Sequence, residues 1–121
     1  MSWRGYVRQA PPIATSTVAP PPPPPPPSSQ SVTIVARDTK FLTTTLTLPA
    51  GAQISLTLDN QDTGTAHDIV IYDLGGGALG ATDIEIGPVM STVTFALGNP
   101  GNYAFKCSVH PQQMHGVIAA Q

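Results

Sequence analysis

The stretch KCSVHPQQMHG, residues 106–116, carries a thiol (Cys107), an imidazole (His110), a thioether (Met114) and a second imidazole (His115). Copper takes soft and borderline ligands of these kinds, and the types match a His₂Cys set with a weak axial Met. The set lacks one imidazole from elsewhere in the chain, and His67 in NQDTGTAHDIVIYD is the candidate. An ion that alternates between Cu(I) and Cu(II) needs little geometric change. A thiolate and two imidazoles near one plane suit both states, and a long thioether tunes the potential.

Each residue also has a plainer reading. Cys107 is the only cysteine, so an internal disulfide is excluded. A lone thiol can be a small buried hydrophobe or a catalytic nucleophile. Met114 can serve as loop packing, and His115 competes with it for the axial position. His110 is followed by Pro111 with no aliphatic pattern around it, which argues against a core role. Met90, after Gly87-Pro88-Val89, reads as packing. Zinc also accepts Cys and His; the methionine favours copper.

Strands must position these side chains. From Ser31, Val32, Ile34 and Ala36 share one face of a short strand. LTTTLTLPAG alternates and ends in a turn, and QISLTLDN points Ile54, Leu56 and Leu58 inward. Asp59 to Gly64 is turn chemistry. HDIVIYD then puts His67, Ile69 and Ile71 on one face, and the glycine-rich residues 73–82 read as a loop. DIEIGP is a short edge strand stopped by Pro88, and STVTFAL points Val93, Phe95 and Leu97 inward. NYAFKC aligns Tyr103, Phe105 and Cys107, and HGVIAA closes the chain. No segment has a 3.6-residue period, so the expectation is an all-β, antiparallel Greek-key β-sandwich.

The 121 residues allow one ordinary domain. Residues 1–30 are expected to form a disordered N-terminal segment with a polyproline linker acting as a semi-rigid spacer, and residues 31–121 the folded domain. A spacer suggests something to be spaced from, such as an anchor or a longer protein upstream. No signal peptide or membrane span is visible. The net charge is −2, and from residue 31 onward three cations face seven acids. That acidic balance argues against nucleic acid and anionic membrane as partners.

The stretch from Ser31 to Gln121 resembles the cupredoxins, the small type 1 (blue) copper proteins such as plastocyanin, amicyanin and pseudoazurin. The resemblance rests on LTLPAG before a strand, LDNQDTGTAHDIVIY around the first histidine, GP followed by STVTF, and PGNYAFKCSVHPQQMHGVI. It implies an eight-stranded sandwich holding one copper ion through His67, Cys107, His110 and Met114. Met114 lies four residues after His110, one more than in amicyanin-like loops and fewer than in plastocyanin-like ones. Asp68 stands where the family usually has Asn after the first histidine. An ionised carboxylate there would favour Cu(II), while a protonated one could still bond the loop near Ser108.

The function so implied is one-electron carriage by a monomer between redox protein partners of the cytochrome or copper/haem oxidase type. By family, the compartment is periplasmic, extracellular or lumenal. The edge of His110 would be the exit route, with Gly64, Ala66, Pro111 and Gly116 forming a neutral docking patch. The alternative is a copper-binding or trafficking domain, or a tethered redox module of a larger membrane-anchored protein. An enzyme is not expected. Three histidines are too few for a trinuclear oxidase or a two-domain nitrite reductase, and a binuclear centre would need a second cysteine where Pro111 stands.

Overall fold

The computed structural model describes residues 29–121. The linker expected over residues 1–30 therefore falls almost wholly outside the described residues. Eleven strands follow in order: β1 (Ser29–Arg37), β2 (Lys40–Phe41), β3 (Thr45–Leu48), β4 (Gln53–Asn60), β5 (Ala66–His67), β6 (Val70–Tyr72), β7 (Ala78–Ala81), β8 (Glu85–Ile86), β9 (Val89–Ala96), β10 (Gly101–Lys106) and β11 (His115–Ala120). Three of them, β2, β5 and β8, are only two residues long, which leaves the eight longer strands that the resemblance implies. Among the described residues no helix is long and apolar enough to cross a membrane.

One sheet has the order β2-β1-β4-β9 and the other β3-β11-β10-β6-β7. A small third sheet, β5-β8, lies apart from both. Within this all-β sandwich, β1 pairs with β4 and β3 with β11 in parallel, while the other pairs run antiparallel. Alternation sets the core as expected. Ile54, Leu56 and Leu58 of β4 are buried against Ile71, Phe105 and Ile118 from the opposite sheet. Each such side chain contributes about 1.5–3 kcal/mol of burial. A one-residue slip of β4 would turn Ser55 and Thr57 inward instead, so its register is strongly specified.

Two sequence expectations change. The run from His67 to Tyr72 is not one strand, because the chain leaves the small sheet after His67 and enters the large one at Val70. The step is stabilised by Thr82, whose Oγ1 accepts the Ile69 N–H at 2.9 Å and whose own N–H reaches the Ile69 carbonyl at 3.0 Å. All three inward residues, His67, Ile69 and Ile71, are nonetheless buried. Second, the glycine-rich stretch is only partly a loop. Its latter half is β7, paired with β6 across an irregularity at Ile71/Tyr72. The lack of a side chain at Gly80 lets β7 lie close to Val93 and Phe95. The remaining tip winds around Asp73, whose Oδ1 accepts the N–H groups of Gly75 and Gly77.

Candidate metal centre

Two chain segments converge at one end of the sandwich. β10 and β6 pair antiparallel through Phe105↔Ile71 and Lys106↔Val70. Continuing that register past the strand ends brings Cys107 beside Ile69 and Ser108 beside Asp68. The loop after β10 then returns into β11, whose first residue, His115, pairs with Lys106. Its ends are closed by a backbone bond from the Cys107 N–H to the Met114 carbonyl at 3.0 Å. Inside, the His110 carbonyl accepts the N–H groups of Gln113 at 3.2 Å and Met114 at 2.9 Å.

The donor atoms of His67, Cys107 and His110 all lie within 4.8 Å of one another. Cys107 Sγ stands 3.8 Å from His67 Nδ1 and 4.0 Å from His110 Nδ1, and the two imidazole centroids are 5.0 Å apart. The thiol can donate to only one of the two nitrogens, whereas a shared ion would be held by all three donors at once. With metal–sulfur and metal–nitrogen bonds of about 2.3 and 2.0 Å, as for zinc, and 120° between them, sulfur and nitrogen stand about 3.7 Å apart.

Met114 and His115, which competed for the axial position in sequence, separate here. The Met114 side chain is fully buried, whereas His115 is exposed. Among the described residues the cluster of convergent donors holds His67, Cys107 and His110 and leaves His115 out. One sulfur and two nitrogens, with a buried thioether on the same loop, are the donor types of type 1 copper.

A family model described as a cupredoxin-like domain matches residues 13–120. The chain belongs to the cupredoxin-like family. Solved structures agree on the fold. Auracyanin A, a "blue" copper protein from Chloroflexus aurantiacus, superposes with a TM-score of 0.70 at 17% identity, over 78% of this chain and 100% of that one. A dithionite-reduced auracyanin from Roseiflexus castenholzii also reaches 0.70, at 23% identity over 78% and 98%. Amicyanin from Paracoccus versutus reaches 0.58, at 17% identity over 75% and 81%. No curated protein matches by sequence.

The surroundings of the site in this cupredoxin are polar and tied down. Asp68 is 3% exposed. Its Oδ1 accepts the Ser108 N–H at 2.6 Å and its Oδ2 the Ser108 hydroxyl at 2.7 Å. Through these two contacts Asp68 ties the segment that follows His67 to the segment that follows Cys107. Asn60, 1% exposed, organises the approach to His67. It donates to the carbonyls of Thr65 and Glu85 and accepts the Asp62 N–H. Gly87 completes the fit, because a Cβ there would stand 2.5 Å from the Asp62 carbonyl and 2.7 Å from Asn60 Oδ1.

Two further expectations are corrected. Gly116 is buried rather than part of a surface patch, because its missing side chain leaves room for the Phe105 ring and the Thr44 carbonyl. Met90 is 66% exposed and is not part of the core, since it lies on the outer face of β9 opposite Asp59.

One residue at this end of the sandwich carries no signal in the sequence. Asp62 Oδ2 lies 2.6 Å from His67 Nε2. Within Asp59–Gly64, an acid five residues before the histidine is indistinguishable from ordinary turn composition. Burial works to raise the Asp62 pKa, but hydrogen bonds from the Thr39 N–H, His67 and the Asp38 N–H outweigh it. The carboxyl is held below the ordinary aspartate value.

Proposed function

We propose that this cupredoxin is a mononuclear blue-copper protein that carries single electrons between redox partners. The observation that carries this reading is the convergence of Cys107 Sγ with the Nδ1 atoms of His67 and His110. Those three residues would hold the ion and Met114 would take the axial place. Copper bound there would supply a one-electron Cu(II)/Cu(I) couple.

The chain's own residues keep that site rigid and dry. His67 and Cys107 are buried, and Asp68 and Asn60 tie the ligand segments to each other and to β8. Such a tethered set suits retention of the ion over its delivery elsewhere, and so favours electron carriage over copper trafficking. His110 is only half-buried, its chain neighbours Val109 and Pro111 are exposed, and Gly64 is exposed with Ala66 half-buried. A small, uncharged rim of these residues around the imidazole edge would fit the modest interface of a transient redox complex, with a cytochrome or a copper or haem oxidase as partner. Family resemblance supports a periplasmic, extracellular or lumenal setting.

Titration of the copper-free protein with Cu(II) tests the reading. One equivalent should give an intense thiolate-to-copper band that bleaches on one-electron reduction. A colourless complex would overturn it.

A further inference from the structure

The β1–β2 hairpin turns through two residues, Asp38 and Thr39, each with φ of 55°. Positive φ at both positions is what a tight two-residue hairpin demands, but a β-branched threonine adopts it at a cost. Successive residues in such turns direct their N–H groups into an anion-binding concavity. Here the anion is a side chain of the same protein. Asp62 Oδ1 accepts the Asp38 N–H at 2.6 Å, and Asp62 Oδ2 accepts the Thr39 N–H at 2.9 Å. The parallel pairing of β1 with β4, ending at Ala36↔Asn60, brings the hairpin tip to this point. Arg37, bonded to Gln61 Oε1 through its guanidinium, joins the same two segments a second time.

The same Oδ2 meets His67 Nε2 at 2.6 Å. With both oxygens already accepting backbone N–H groups, Asp62 is set to accept from Nε2 as well. In the neutral imidazole that leaves Nδ1 as the lone-pair nitrogen, and it is this atom that faces Cys107 Sγ. Metal-bound histidines commonly donate their second nitrogen to such an acceptor, which fixes the tautomer and raises the basicity of the ligand.

We propose that Asp62 is a positioning residue of the metal centre. Its carboxylate, seated in the hairpin turn, locks His67 with Nδ1 presented to the ion, and its negative charge favours the oxidised over the reduced metal. The Asp62 side chain is 12% exposed, so water screens that charge only in part. The inference rests on the copper reading for its second half, whereas the tautomer assignment is independent of any metal.

The test uses the full chain with Asp62→Asn and Asp62→Ala, loaded with Cu(II) or Cu(I). Nitrogen-edited NMR of the copper-free wild type should show His67 with a slowly exchanging Nε2–H; an Nδ1–H tautomer overturns the proposal. In Asp62→Asn the amide oxygen can still accept from His67 but carries no charge. Its Cu(II) affinity should fall about 10–100-fold while Cu(I) affinity falls less, so the reduction potential rises. Each tenfold difference between the two affinities corresponds to about 59 mV for a one-electron couple. Asp62→Ala should lose the protected Nε2–H as well. Equal losses of Cu(I) and Cu(II) affinity, with an unchanged potential, would leave Asp62 a purely structural tie and overturn its electrostatic role. Failure of the wild type to form a blue Cu(II) complex would instead sink the copper reading, while the tautomer measurement still judges Asp62.

Discussion

Asp68 and Ser108 are joined twice, once through the Ser108 N–H and once through its hydroxyl, at 2.6 and 2.7 Å. Both are short contacts to the carboxyl oxygens of a buried side chain. They tie the residue after one proposed ligand, His67, to the residue after another, Cys107. Rigidity and electrostatics therefore act through the same carboxylate.

Replacing that carboxylate by its amide separates the two effects. Asp68→Asn keeps an acceptor for the Ser108 N–H and removes a buried negative charge. Voltammetry should show the potential rising while copper stays bound. Asp68→Ala loses both bonds, and urea unfolding of the copper-free protein should show a loss of about 2 kcal/mol. A potential that does not move in the Asn variant would mean that Asp68 acts only as a tie.

Met114→Ala should shift the potential upward while the site keeps its copper and its colour. Cys107→Ala should abolish the blue band outright, because the thiolate is its source. Since Met114 is fully buried, its truncation should also destabilise the protein by about 2–5 kcal/mol. Absorption, voltammetry and thermal melts on the two variants check all three outcomes. An unchanged potential in Met114→Ala removes the axial assignment and leaves the other three ligands in place.

Gly116→Ala probes packing rather than metal. The added Cβ would run into the Phe105 ring and the Thr44 carbonyl. That carbonyl already accepts the Val117 N–H at 2.9 Å, so the β3–β11 edge must shift to make room. Overpacking of this kind costs about 1–3 kcal/mol, visible as a lower melting temperature in the copper-free protein. An unchanged melting temperature would show that the strand edge yields without cost.

Asp62 sets an acid limit. Its carboxyl titrates lower in the folded protein than the ordinary aspartate value, so folding favours the ionised form. The stability it contributes is complete above the unfolded aspartate pKa of about 3.9 and is lost as pH falls through the folded value. The stability gap between wild type and Asp62→Asn, measured copper-free by urea unfolding, should be widest near neutrality. It should narrow as the pH drops below about 4. A gap that widens on acidification would mean that folding raises the Asp62 pKa instead of lowering it.

Much of this architecture is legible in the sequence because alternation and burial coincide. Ile54, Leu56 and Leu58 read as inward and are buried, and Tyr103, Phe105 and Cys107 do the same. Failures arise where a long-range partner decides the outcome. The break after His67 depends on Thr82, 13 residues beyond Ile69, and nothing local marks it. β7 forms from Ala-Leu-Gly-Ala, a weak strand sequence, because β6 offers an open edge. The outward turn of Met90 follows from the register of β9 on β4, which composition does not disclose. Cys107, His110 and the upstream His67 are accessible from residue type and spacing. The hairpin clamp on Asp62 is not, since it needs β1 and β4 to run in parallel.

The backbone bond between Cys107 and Met114 gives the C-terminal loop a certain autonomy. The loop leaves β10 and enters β11 at adjacent positions, Lys106↔His115, and closes on itself before the sandwich begins. It is thus a cassette that a single hairpin presents. Residues inserted between His110 and Met114 would lengthen the cassette without disturbing the strand pairing beneath it. Variation in that spacing can therefore be absorbed at the rim, leaving the architecture to be inherited unchanged while the metal's surroundings diverge.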